Sequence, residues 1–272
     1  MDRYSVFDDD NFYRAAYSLL KRSAVYSEAL DEITNRYLRA YLDFYKISVK
    51  QLVDGYADFL KVYQRDIEDF LLYRIIPAET QNGQQFSRQQ YDIALLVSVI
   101  IAAHRHKLLR NLSEYACRLQ GTGLIVGIGS GLDLEIILNN ADGKPEIHAF
   151  DPEISTFVKE RFGDRVELTE AMFESGAAQY DFIIAIELLE HTKAPFTLLE
   201  NFRSCLKSDG ICIVTTTTNV PQFDHVFNFD VDITKQLNTI GLHVKNSEII
   251  DHFSVKPELK AANTWYELCH LN

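Results

Sequence analysis

The stretch from Leu124 to Leu138, LIVGIGSGLDLEIIL, places glycines at 127, 129 and 131 between an apolar run and a segment of helical spacing. Such a run, closed by glycines, reads as a buried strand, a tight turn and a helix. The turn needs backbone torsions that glycine adopts at no steric cost, and the missing Cβ atoms let a ligand lie against the main chain. In a doubly wound sheet, ligands collect at the carboxyl ends of the strands, and the turn after the first strand comes closest to them. The spacing here is G-x-G-x-G. A dinucleotide fingerprint needs its third glycine one position later, where this chain has Leu132.

The rest of the chain divides by periodicity. After residue 120, short apolar runs alternate with helical stretches: GLIVGI, EIHAFD, RVELTE, YDFIIAI, GICIVTTTT, LHVKNSEIID and TWYELCHL are the seven candidate strands. Alternation of this kind predicts an α/β fold, a doubly wound, mostly parallel, seven-stranded Rossmann-like sheet. Before residue 120 the apolar residues recur at helical spacing, so an all-α helical domain precedes the sheet. Helices are expected over residues 12–30 and 33–46. A long one follows Ser48, with a stripe from Val49 to Leu71, and a second long one runs from Ser87 to about residue 120, where Ser87 and Gln90 have capping-box spacing. The boundary is placed near residue 118, giving a helical domain over 1–118 and a ligand-binding domain over 119–272. Twelve of the fourteen tyrosines fall in the helical half, where they suit helix packing with a wet hydroxyl or the lining of a pocket.

Charge narrows the partners. Residues 1–115 carry 15 Lys and Arg against 16 Asp and Glu, whereas residues 116–272 carry 12 against 23. An acidic half of this kind repels phosphate backbones and anionic lipid, so neither nucleic acid nor a membrane is the expected partner. The longest apolar run, Ile93 to Ala103, is too short to span a bilayer, and no signal-peptide pattern opens the sequence. Four cysteines without metal-ligand spacing read as free thiols, in keeping with a cytoplasmic protein.

Asp151 ends the second strand in HAFDPE, twenty residues after Gly131, where a carboxylate can accept hydrogen bonds from both ribose hydroxyls of an adenosine. LTEAMFES follows the third strand, YDFIIAIELLEH contains the fourth, and LLENFRSCLKSDGICIVTTTT reads as a helix, a turn and the fifth strand. With these segments in this order, the chain resembles the class I S-adenosylmethionine-dependent methyltransferases of the small-molecule type, from Leu124 to about Leu242. The relatives carry an LEH segment after strand four and an LKxxG turn before strand five.

The resemblance implies S-adenosyl-L-methionine as cofactor. Gly127, Gly129, Ser130 and Gly131 would cradle its methionine moiety, and Asp151 would bind the ribose, with Pro152 and Glu153 beside the adenosine. Glu170, Ala171 and Met172 would flank the adenine, Glu170 departing from the commoner Asp. Glu187 would pair with the cofactor's ammonium group, and Leu188 would pack below it. His191 is either a structural hydrogen-bonder or a catalytic group.

For the acceptor, the segment Thr215 to Asp230 leaves the end of strand five and hangs over the cofactor mouth. Within it Asp224 and His225 suit orienting or deprotonating an acceptor, or alternatively capping nearby backbone. Asp224, His225, Asp230 and Asp232 lack convergent spacing, so no metal is expected. Relatives often place added helices over the mouth, which makes Tyr91, Ser98 and His104 candidates for contacting a small-molecule acceptor. Pairing of two copies through the helical domain, as a homodimer, explains the same stripe. His104 and His106 point to different sides of one helix and do not form a ligand pair. The expected reaction is methyl transfer to an oxygen or nitrogen of a small metabolite. Aminocarboxypropyl transfer from the same cofactor and a non-catalytic scaffold are the alternatives.

Overall fold

The computed structural model describes residues 11–74, 86–222, 224–229, 232–252 and 260–270. Its sheet has seven strands in the order β3-β2-β1-β4-β5-β7-β6. They are β1 (Thr122–Val126), β2 (Glu146–Asp151), β3 (Glu167–Glu170), β4 (Tyr180–Ala185), β5 (Leu206–Thr218), β6 (Leu242–Asp251) and β7 (Ala262–His270). The first five pair in parallel, and β7 runs antiparallel to both β5 and β6. The order reverses between β1 and β4, so the crevice at their carboxyl ends is the ligand position of the architecture.

Successive strand residues point to opposite faces, and here both faces are apolar. Ile125, Phe182, Ile184, Ile213 and Trp265 join one hydrophobic cluster, while Leu124, Val126, Ile183, Ala185, Val214 and Tyr266 join another. Helices α6 (Leu132–Asn140) and α7 (Thr156–Phe162) cover the first face. Helices α8 (Pro195–Cys205) and α9 (Thr234–Thr239) cover the second. The first cluster also contains Tyr13, Tyr37, Leu52, Leu96 and Leu109 from the five preceding helices, so one core runs across residue 118 without a break.

Those helices are α1 (Asn11–Arg22), α2 (Glu28–Tyr45), α3 (Val49–Tyr73), α4 (Arg88–Ile101) and α5 (Ala103–Ala116). The box at Ser87 forms as expected, and Ser48 caps α3 in a second box with Gln51, each glutamine reaching back to the cap backbone. Three expectations are corrected. The helix expected over 12–30 ends at Arg22, because Ser27 takes an extended conformation and caps α2 by accepting from the Leu30 N–H. The helix expected to run from Ser87 to residue 120 breaks at Ala102, which is extended at φ −106° and ψ 113°. An unbroken apolar stripe hides that break from a periodicity argument. The LKSDG segment is part of β5: Leu206 pairs with Tyr180 and Ile211 with Phe182, so its middle residues bulge out of the ladder.

No helix among the described residues is long and apolar enough to cross a membrane. All four cysteines are free, with Cys205 and Cys212 buried.

Tyr37 of α2 is fully buried and donates a hydrogen bond from Oη to the Ser130 carbonyl at 2.6 Å, tying the helical region to the glycine turn. Gly131 has φ +80°, and a Cβ there would lie 2.6 Å from Tyr37 Oη and 2.8 Å from Val158. Gly131→Ala therefore combines backbone strain with overpacking and is expected to lower stability by about 1–3 kcal/mol in urea denaturation. Gly176→Ala, where nothing approaches a Cβ closer than 4.0 Å, is the matched control and should leave the midpoint almost unchanged.

Candidate active site

A cavity of about 330 Å³ opens at the carboxyl ends of β1 and β4, within the usual range for small-molecule sites. Its floor is the turn Gly127, Ile128, Gly129 and Ser130. Asp151 and Pro152 from the end of β2 form one side, and Glu187, Leu188, Glu190 and His191 after β4 form the other. The helical region closes the top with Arg88, Tyr91, Ser98, His104 and Arg105. Gln222 and His225 enter from the loop after β5.

The turn is held open by its own backbone. Gly127 and Gly129 have φ +76° and +50°, and a Cβ on Gly127 would meet Leu188 at 2.8 Å. Asp151 is buried, and its Oδ2 accepts from the Gly129 N–H at 3.0 Å while Oδ1 accepts from the Glu153 N–H at 3.0 Å. Arg88 stands beside it: Nη1 lies 3.4 Å from Asp151 Oδ1 and donates to the Glu153 carbonyl at 2.6 Å, and Nη2 donates to the Gly129 carbonyl. Its Nε donates to Asp92 at 2.9 Å. Burial pushes the Asp92 carboxyl up to about 6, against the pull of Arg88.

Five of the residues expected near the cofactor, Gly131, Glu153, Glu170, Ala171 and Met172, do not line the cavity. The Glu170 carboxylate is drawn to α7, where it accepts from the Ile154 N–H at 2.9 Å and pairs with Lys159 at 2.8 Å. Met172 is 66% exposed, and Ala171 is exposed with its N–H on the Thr169 carbonyl. Gly131 also stands off the lining, because it faces Tyr37, Val158 and Phe162.

Glu187 sits after β4 in a left-handed conformation, φ +48°, with its N–H on Thr215 Oγ1 at 2.7 Å. Its carboxylate is ion-paired with Arg105 and accepts from Asn263 Nδ2 at 2.6 Å. Asn263 Oδ1 in turn bonds His252 Nε2, and the His252 ring stacks on His104 at 3.9 Å. His104 thus faces the cavity, whereas His106 is buried between the Ser27 N–H and the Val99 carbonyl, which separates the two as expected. Burial, then the neighbouring His252 and Arg105, holds the His104 imidazole well below its ordinary range.

The other end of the cavity is built by one backbone group. The carbonyl of Glu190 accepts from the N–H of Val226 at 2.9 Å and of Phe227 at 3.0 Å, pinning the loop after β5 onto the 3-10 turn Leu189–His191. That contact brings His191 and His225 together with ring centroids 4.8 Å apart. His191 Nδ1 lies 3.2 Å from the Asp224 carbonyl and 3.4 Å from its carboxylate, and His225 Nδ1 lies 2.7 Å from the Val220 carbonyl. Burial pushes the Asp224 carboxyl up, but His191, His225, Gln222 and Tyr91 together hold it below its ordinary value. Burial against Asp224 raises the Tyr91 hydroxyl's pKa. Asp232 is engaged with Thr234 and Tyr266, and Asp230 lies outside the described residues.

Sequence reasoning missed Arg88, Arg105, Glu190, His252 and Asn263. Arg105 stood between two noted histidines and Glu190 inside a quoted motif. Nothing local in the sequence marks Asn263.

A family model described as a methyltransferase domain matches residues 101–263, more than half of the chain, and it includes α5. Comparison with curated proteins finds no match. Among solved structures, the O-methyltransferase of a trans-AT PKS multienzyme of Brevibacillus brevis, in complex with S-adenosyl-L-homocysteine, is similar at TM-score 0.51 and 15% identity, covering 72% of this chain and 83% of that one. The N-methyltransferase NodS of Bradyrhizobium japonicum has TM-score 0.50 and 12% identity, covering 62% and 97%. The mitomycin 7-O-methyltransferase MmcR has TM-score 0.50 and 11% identity, covering 78% and 67%. At these identities the structures share a fold with this chain.

Burial pushes the imidazoles of His225 and His252 down to about 4 from an ordinary 6.5, with His191 adding to the effect on His225. The unfolded chain takes up these protons first, so their contribution to stability is intact above about pH 6.5 and is lost as the pH falls toward 4. Imidazole carbon resonances of both residues are expected to stay neutral at pH 6. A midpoint near 6.5 for either one would contradict its burial.

Proposed function

The chain belongs to the S-adenosylmethionine-dependent methyltransferases, with its methyltransferase domain over residues 101–263, and on that premise we propose that it methylates an oxygen or nitrogen of a small metabolite. The observation that carries this reading is that one cavity joins a glycine turn and a buried strand-end aspartate to an end lined by imidazoles. The first part fits a nucleoside: Asp151 is fixed by two backbone N–H groups and still faces the cavity, as the acceptor of a ribose diol must.

Gly127, Gly129, Ser130, Asp151 and Pro152 would hold the adenosine and methionine parts of the cofactor. Glu187 and Arg105, already paired across the cavity, offer opposite charges to an amino acid's ammonium and carboxylate. When bound, S-adenosylmethionine supplies a methyl group on a sulfonium, which passes to the acceptor's lone pair as the carbon–sulfur bond breaks and its electrons return to sulfur. The chain's own task is then to present that lone pair in line and to exclude water. His191, backed by Asp224, and His225 stand at the end of the cavity that receives the acceptor's proton-bearing atom and orient it there. Tyr91 and His104, from the helical region, contact the acceptor and select it. The acidic surface favours a small molecule over a nucleic acid as acceptor.

Calorimetric titration with S-adenosylhomocysteine tests the cofactor half of the reading. Binding to the natural chain is expected, with Asp151→Ala weakening it by roughly 10- to 100-fold, the worth of charge-assisted hydrogen bonds to a buried carboxylate. No binding to the natural chain would overturn the assignment of this cavity.

A further inference from the structure

We propose that Glu190, His191 and His225 form a divalent-cation site at the acceptor end of the cavity. One ligand atom from each lies within 4.8 Å of the others. Donors on a single ion, at about 2.1 Å each, stand at most about 4.2 Å apart, so small side-chain rotations complete the set.

Two independent features favour an ion over three unrelated side chains. Glu190 is completely buried and lines the cavity; neither carboxylate oxygen makes a hydrogen bond of ordinary geometry, and burial pushes its carboxyl up against the pull of the His191 ring, its own backbone N–H and the Thr217 hydroxyl. An ionised carboxylate in that position is unfavourable unless a cation or donor meets it. Arg105 feels the Glu190 charge but is already paired with Glu187. The second feature is the orientation of the imidazoles. The Val220 carbonyl beside His225 Nδ1 can only accept, and so can the Asp224 carbonyl and carboxylate beside His191 Nδ1. Each neutral ring therefore carries its proton on Nδ1 and keeps the Nε2 lone pair for a ligand. Metal-binding histidines are held in this way, by an outer carbonyl or carboxylate that fixes the tautomer.

Two imidazoles and one carboxylate suit Mn²⁺, Fe²⁺, Co²⁺, Ni²⁺ or Zn²⁺ rather than Ca²⁺ or Mg²⁺, which prefer all-oxygen sets. Three protein ligands leave positions open to the cavity. A hydroxyl bound there becomes more acidic and gives its proton to water, which presents its oxygen as the methyl acceptor. The inference rests on the proposed methyl transfer only for this consequence, which selects an oxygen acceptor; the existence of the site does not depend on it.

The full chain, stripped with EDTA, would be titrated with Co²⁺ by calorimetry and by visible absorption, whose d–d bands report nitrogen and oxygen ligands. One Co²⁺ per chain is expected. Glu190→Gln, His191→Ala and His225→Ala should each weaken binding by at least about tenfold and change the bands. S-adenosylhomocysteine titration of the same samples reports whether each variant has kept its cavity; a variant that has lost it is set aside, and the other two decide. Failure of the natural chain to bind Co²⁺, or unchanged binding in folded variants, overturns the site. Loss of nucleoside binding with Co²⁺ binding intact would instead fault the cofactor reading and leave the cation site standing.

Discussion

The hydroxyl of Tyr37 reaches from α2 to the carbonyl of Ser130, and the shape of the site depends on that bond. Three left-handed glycines take the chain out of any regular ladder, so the carbonyls of the turn must find partners elsewhere or remain buried and unpaired. Tyr37 supplies one from the helical region, and its ring is fixed in turn by Phe157, Phe162 and the Arg161 guanidinium. Arg161 is itself locked by two hydrogen bonds to Glu135 of α6. The floor of the cavity is therefore set by residues from both sides of position 118. The helical half is a structural part of the turn as well as its cover.

At the opposite end, a single carbonyl has the same importance. Glu190 uses its backbone oxygen to hold two N–H groups of the loop after β5, and that loop carries His225. The same residue places its side chain in the interior, where neither oxygen makes a hydrogen bond of ordinary geometry and burial pushes the carboxyl up. Its position in the loop architecture is thus secured by main-chain bonds that do not require the carboxylate. Burial of such a carboxyl is a cost that packing alone has no reason to retain, since an apolar residue of similar volume would satisfy the same backbone role. This separation between a backbone that organises the loop and a side chain that destabilises it is the pattern of a functional group held in place by its scaffold.

Much of the fold could be read from the sequence because its signals are local. Short apolar runs on strands buried on both faces, glycines that require positive φ, and the Ser87–Gln90 capping box each involve residues a few positions apart. The errors arose where tertiary contacts overrode local pattern. The extended Ala102 sits inside unbroken helical periodicity, and β5 absorbs a segment whose composition signals a turn because Leu206 finds a partner in Tyr180. For the site, the glycine turn and Asp151 were legible since strand order alone brings them to the crevice. Glu170, Ala171 and Met172 do not line the cavity, and the Glu170 carboxylate is engaged by Lys159 and the Ile154 N–H, contacts that local pattern does not reveal. His191 and His225 were named separately, but their meeting depends on hydrogen bonds between segments more than thirty residues apart.

The charges around the cavity explain why the two halves must close on each other. Its carboxylates, Asp151, Glu187, Glu190 and nearby Asp133, come from the acidic half, while its guanidiniums, Arg88 and Arg105, come from the helices. Burial pushes the Asp133 carboxyl up to about 6, with Arg105 opposing the shift. Without the helices these carboxylates would face one another across a narrow crevice. Buried pairs of this type add little net stability, because desolvation consumes most of the Coulombic gain. They do penalise any arrangement that leaves one partner alone, and so they specify how the halves meet. Arg105 lies within the matched methyltransferase domain, but Arg88 precedes it. The charge that meets Asp151 therefore comes from a segment the family does not define, and differences in that segment are able to alter the mouth of the site while leaving the sheet and the glycine turn unchanged.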